Sequence, residues 1–142
     1  MKRRLVQDGV FQVQTFNCVM PARSILIADD DAAIRGLLRA MLRDDKFEVD
    51  EASDGGEAMA RMRIKRYDAV VLDLMMGPVN GFKVIEEIRA ERPGQKFIIV
   101  VSATSQASID KLEDESIFAK LRKPFDVHAL LQAVRQCAQP LA

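Results

Sequence analysis

Cysteine is scarce in this chain. Only Cys18 and Cys137 occur among 142 residues, in no metal-like spacing, and a domain of this length buries enough apolar surface to hold together without a disulfide. The expected setting is reducing and cytoplasmic. Long apolar runs are missing as well: none approaches the ~20 residues that cross a bilayer as a helix, so no membrane span is expected. The basic start MKRR is followed by VQDGVFQVQTF, where Gln and Asp interrupt the apolar core that a secretory signal requires. Net charge is absent too. With 21 Lys plus Arg against 21 Asp plus Glu, no overall field draws the protein to nucleic acid or to an anionic membrane. The balance is uneven, because Lys2, Arg3, Arg4 and Arg23 face only Asp8 in residues 1–23, which leaves the remainder mildly acidic. No sequence repeat and no low-complexity tract is found.

What is present, from Ser24 onward, is an alternation of short β-branched runs with segments of helical period. SILIAD reads as a strand, followed by a helix with Ile34, Leu37, Leu38, Met41 and Leu42 on its inner face. FEVDEA is a short strand, and GGEAMARMRIKR a helix with Ala58, Met59 and Met62 turned inward. DAVVLDL is apolar enough for burial on both faces. Asn80 is placed to cap a helix through GFKVIEEIRAER, in which Phe82, Ile85 and Ile88 recur, and Pro93 and Gly94 end it. KFIIVVS is a fourth strand, SQASIDKLEDE a weak polar helix, SIFAKL a fifth strand, and FDVHALLQAVRQCA a last helix with Val127, Leu130, Leu131 and Val134 inward. Five strand–helix pairs predict one α/β domain with a parallel sheet, helices on both faces and right-handed crossovers. Residues 1–23 stand outside the pattern and are expected to be a flexible extension; residues 140–142 are expected to be a tail, and no output module is expected after it.

In an open parallel sheet, polar residues at the carboxyl ends of the strands share one rim. Asp29, Asp30 and Asp31 follow the first strand, Asp73 ends the third, Ser102 ends the fourth and Lys123 follows the fifth. Carboxylates gathered within a few ångström repel, so either their pKa values rise or a cation joins them. Mg²⁺ suits such a set, because it takes oxygen ligands and keeps positions for phosphate oxygens. A carboxylate beside that ion is able to attack phosphorus, while a lysine and a serine hydroxyl supply contacts for phosphoryl oxygens. Taken singly these residues carry little: Asp31 fits a helix N-cap, Asp29, Asp30 and Lys123 each fit a solvated surface, and Ser102 alone says almost nothing. The argument rests on their joint placement.

The blocks ILIADDDAAIRGLL, FEVDEASDGGEAM, YDAVVLDLMM, Gly81, IIVVSAT and KPF, in this order and spacing, resemble the receiver domain of bacterial response regulators, the CheY-like family, over residues 24–139. The resemblance implies a flavodoxin-like doubly wound fold with strand order 2-1-3-4-5. It implies Asp73 as phosphoacceptor, with Asp29 and Asp30 as the acidic pair that holds Mg²⁺ and the Met75 carbonyl as a further metal ligand. Ser102 and Lys123 match the residues that contact the phosphoryl group, and the Lys123–Pro124 peptide is expected to be cis. Implied partners are a sensor histidine kinase or histidine phosphotransfer protein and a downstream protein target, with no direct contact to nucleic acid or membrane. The face built from helix four, strand five and helix five is the expected output surface and a route to a homodimer.

Three features depart from the family pattern. Gly77 precedes Pro78 where the family usually has Pro then Gly. Lys120 stands at the usual switch aromatic, with Phe118 nearby. The stretch from Ser102 to Lys123 is slightly short and contains the weak helix. Two rivals remain. A haloacid-dehalogenase-like phosphatase needs an acid two residues past its nucleophile, where this chain has Met75. A degenerate receiver, acting as a phosphate-independent interaction module, usually lacks an acid or the lysine. His128 and Cys137 are expected to be ordinary helix residues.

Overall fold

A computed structural model describes residues 22–138; the expected extension, apart from its last two residues, and the C-terminal tail lie outside the described residues. Five parallel strands, β1 (Ser24–Ala28), β2 (Glu48–Ala52), β3 (Ala69–Asp73), β4 (Ile98–Ser102) and β5 (Ile117–Arg122), lie in the order β2-β1-β3-β4-β5. They alternate with α1 (Ala32–Asp44), α2 (Gly55–Ile64), α3 (Gly81–Ile88), α4 (Gln106–Lys111) and α5 (Val127–Ala138). This is the doubly wound, CheY-like flavodoxin fold.

The period of two along each strand divides the core into two layers. Leu26, Val70, Leu72, Ile98 and Val100 face Ala58 of α2 and Val84, Ile85 and Ile88 of α3. The intervening Ile25, Ile27, Val71, Ile99 and Val101 face Leu38 and Leu42 of α1 and Leu130, Leu131 and Val134 of α5. Every residue of β3 and β4 is buried, as expected of strands covered on both sides, whereas the edge strand β5 alternates. Each fully buried Val, Leu or Ile contributes roughly 1.5–3 kcal/mol of transfer free energy, so most of the cohesion comes from the central strands.

Side-chain caps start the helices. Asp31 accepts from the amides of Ala33 and Ile34 at α1, Asp54 from Glu57 at α2, Asn80 from Lys83 at α3 and Ser105 from Ser108 at α4. One inward assignment is corrected: Leu37 is 52 % exposed, at the margin of the α1 apolar stripe. Phe82, which recurs with the buried Ile85 and Ile88, is 43 % exposed. The helix expected to run to Arg92 ends at Ile88 and tightens into a 3-10 turn over Arg89–Glu91. The polar fourth helix shrinks to six residues with Ile109 buried, consistent with its few apolar anchors. Lys123–Pro124 is cis, and so is Gly77–Pro78. Among the described residues no helix is long and apolar enough to cross a membrane.

Candidate functional site

The carboxyl rim of the sheet is assembled by strand ends and held by backbone contacts. Asp29 leaves β1 buried, its amide donating to the Ala52 carbonyl at 3.1 Å and its Oδ1 accepting from the Asp31 amide at 2.9 Å. Asp30 is exposed, and Asp31 is spent on capping α1. Asp73, also buried, ends β3 and accepts from the Met75 amide through Oδ1 at 3.0 Å. Gly81 lets α3 begin against this turn: a Cβ there would lie 2.6 Å from the Asp73 carbonyl oxygen and 2.7 Å from Leu74 Cα, closer than real Cβ atoms come.

Lys123 crosses from the end of β5. Its amide donates to the Ser102 carbonyl at 2.7 Å, which registers it against β4. Its Nζ donates to Asp29 Oδ2 at 2.8 Å and to Asp73 Oδ2 at 3.3 Å. Asp29, Asp30 and Asp73 each offer an oxygen within 4.8 Å of the others. The structure therefore brings together the three acids and the lysine that the sequence singled out.

The charges respond to this crowding. Burial raises the Asp73 pKa above the ordinary carboxylate range, and the Asp29 charge adds to it, outweighing the Met75 amide and the Lys123 charge that act the other way. Burial works against the Lys123 ammonium, but the hydrogen bond to Asp29 and the charges of Asp29 and Asp73 together hold its pKa above the usual lysine value. Lysine thus serves as counterion to two buried acids. An all-oxygen set of this size also fits a hard divalent ion such as Mg²⁺.

Ser102 is fully buried, but its hydroxyl is not among the acids. It donates to Thr104 Oγ1 at 3.1 Å and accepts from the Thr104 amide at 3.1 Å. Met75 is 56 % exposed and touches Asp73 through its amide. Lys120, where an aromatic was expected, is exposed and donates to the Leu112 carbonyl at the end of α4 at 2.9 Å. The β4–β5 register sets Val100 beside Lys120 and Ser102 beside Arg122, with Phe118 further back on the strand.

Sequence reasoning missed two supporting residues. Arg35 donates to the Asp29 carbonyl at 2.7 Å and to Glu51 Oε1 at 3.2 Å, clamping the end of β1 to α1 and β2. Nothing local marks it, since the contact to β2 is formed only by folding. The Thr104 contact could have been found: a serine hydroxyl that accepts from the backbone amide two residues on, as Ser102 does from Thr104, is a serine–threonine turn.

The response regulator receiver domain model matches residues 25–135. The chain is 36 % identical over 114 residues to the transcriptional regulatory protein PdtaR of Mycobacterium tuberculosis, covering 79 % of this chain and 55 % of that protein. It is 34 % identical over 116 residues to the response regulator MprA of Mycolicibacterium vanbaalenii, covering 82 % and 50 %. The chain thus spans about half the length of these curated relatives. Among solved structures it is similar to the response regulator TrrA of Thermotoga maritima in complex with Mg²⁺–BeF, at 30 % identity, a TM-score of 0.72, and 81 % and 98 % coverage of the two chains. It is also similar to the chemotaxis protein CheY4 of Vibrio cholerae, at 26 % identity, a TM-score of 0.72, and 82 % and 99 % coverage. Sheet order, the acidic rim with its lysine, and these matches together make the chain a member of the response regulator receiver domain family.

Proposed function

We propose that this domain takes a phosphoryl group onto Asp73 from a phosphohistidine donor, in a Mg²⁺-dependent reaction, and signals through a partner protein. The observation that carries the proposal is Lys123 Nζ, held within hydrogen-bond reach of both Asp29 and Asp73 at the rim where Asp30 also converges. The donor is a sensor histidine kinase or a histidine phosphotransfer protein, and the setting is cytoplasmic.

An Asp73 carboxylate oxygen attacks phosphorus; the new P–O bond forms as the P–N bond to the donor imidazole breaks, and the nitrogen lone pair stays with the imidazole. Asp29, Asp30, Asp73 and the Met75 carbonyl are the groups that would hold Mg²⁺, which when bound would supply charge neutralisation for phosphoryl oxygens. Lys123 exchanges one carboxylate contact for a phosphoryl oxygen, and the Ser102 hydroxyl leaves Thr104 for another. That rotation alters the link from Thr104 to Arg122, whose Nε donates to the Thr104 carbonyl at 3.2 Å. Phosphorylation thereby biases α4, β5 and α5, the face proposed for output and for any homodimer.

The test is thermal unfolding with Mg²⁺ and beryllofluoride, a phosphoryl mimic. A rise in Tm beyond that from Mg²⁺ alone, absent in Asp73→Asn, is expected. No response in the wild type would instead favour a phosphate-independent interaction module.

A further inference from the structure

The opposite rim of the sheet collects charge of the other sign by the same topology. Arg23 immediately precedes β1, and Arg66 and Lys96 lie just before β3 and β4; these three strands are neighbours. Arg92, beyond the turn that ends α3, joins them. The four cations line a cleft of about 380 Å³ together with Asp68 and the partly exposed ring of Phe118. This is a positive site on a domain that is acidic outside residues 1–23.

The pairing within the cleft is incomplete. Arg66 Nη2 and Arg92 Nε donate to the same neutral oxygen, Gln95 Oε1, at 2.6 and 3.0 Å. Neither guanidinium has a carboxylate partner among the described residues. The Asp68 carboxylate is engaged by the Ser24 amide at 2.8 Å and by Arg23 at 3.7 Å. Among the described residues, Lys96 Nζ reaches only the Glu115 carbonyl, at 3.4 Å. Arg92 is also rigid: it donates to the Tyr67 carbonyl at 2.8 Å and lies 3.7 Å from the centroid of the Phe97 ring. Two like charges held on one neutral acceptor gain more from an anion than from an amide.

We propose that this cleft binds a small phosphate-bearing ligand, with Arg66 and Arg92 clamping phosphate oxygens and Lys96 and Arg23 completing the charge. A phosphate dianion answers two guanidinium groups where a carboxylate answers one, and Arg presents the planar donor fork that phosphate accepts. The volume suits a ligand of mononucleotide size or smaller. The cleft lies at the far end of the strands from Asp73, so this inference stands or falls independently of the phosphoacceptor reading.

The experiment is an amide NMR titration of the full chain, without Mg²⁺, using inorganic phosphate and AMP separately, with chloride at equal ionic strength as reference. Saturable shifts centred on Tyr67, Gln95 and Lys96 are expected with at least one phosphate probe. Arg66→Gln weakens binding by about tenfold or more, the loss of one charge-assisted hydrogen bond. The double variant Arg66→Gln, Lys96→Gln loses it altogether. Both side chains are exposed, so these variants keep the wild-type Tm. Equal affinity for the two probes identifies the phosphate group itself as the ligand; tighter AMP binding identifies a nucleotide. Shifts that follow chloride, that centre on Lys123, or that persist in the double variant would overturn the proposal.

Discussion

Lys123 Nζ lies 2.8 Å from Asp29 Oδ2, across 94 positions of sequence, and the same ammonium reaches Asp73 at 3.3 Å. It is the counterion that lets two buried acids share a rim. Lys123→Ala therefore strands both carboxylates, and breaking buried pairs of this kind costs about 3–5 kcal/mol. Lys123 retains 18 % side-chain exposure, so the lower end of that range is expected. Urea unfolding should show the loss without Mg²⁺ and a smaller loss with it, because a bound cation replaces the missing charge.

Asp73→Asn acts in the opposite direction. Burial and the Asp29 charge make the ionised Asp73 side chain unfavourable despite Lys123, so removing its charge raises Tm in metal-free buffer. The same change removes one of the proposed metal ligands, so any stabilisation by Mg²⁺ is expected to shrink. Thermal unfolding with and without Mg²⁺ separates the two effects.

Tyr67 provides a pH test away from the site. Its hydroxyl donates to Asp50 Oδ2 at 2.7 Å, and burial, followed by the Asp50 bond and charge, pushes the phenol up to about 12 from 10.0. Between those values the unfolded chain ionises Tyr67 and the native chain does not, so stability falls as pH rises through that window. Tyr67 is the only tyrosine and there is no tryptophan, so phenolate absorbance reports it directly. The native midpoint should lie near 12 and move towards 10 in denaturant.

Gly81→Ala tests the turn beside Asp73. Its Cβ would meet backbone atoms at 2.6 and 2.7 Å, which side-chain rotation cannot relieve. A destabilisation of about 1–3 kcal/mol, as for overpacking, is expected by urea unfolding, with weaker Mg²⁺ binding.

The alternation of apolar period conveyed the sheet, and the strand ends conveyed the acids and lysine, because in a parallel sheet those positions have only one rim to occupy. Contacts between distant helices and strands were less legible. Helical spacing places Leu37 inward, but a stripe's margin depends on how far the neighbouring layer extends. Arg35 reaches the Asp29 carbonyl and Glu51 only once α1 lies on the sheet. The Ser102 hydroxyl was matched to a phosphoryl contact, yet its partner in this structure is Thr104, two residues away. The basic cleft is not legible in the sequence because its cations come from three separate segments, before β1, between α2 and β3, and ahead of β4.

The most direct measurement of the central claim is intact-protein mass after incubation with acetyl phosphate. The account predicts one added phosphate that requires Mg²⁺, is released by hydroxylamine as an acyl phosphate should be, and is missing from Asp73→Asn. An unmodified wild type in the presence of Mg²⁺, or a phosphate retained by Asp73→Asn, would contradict it.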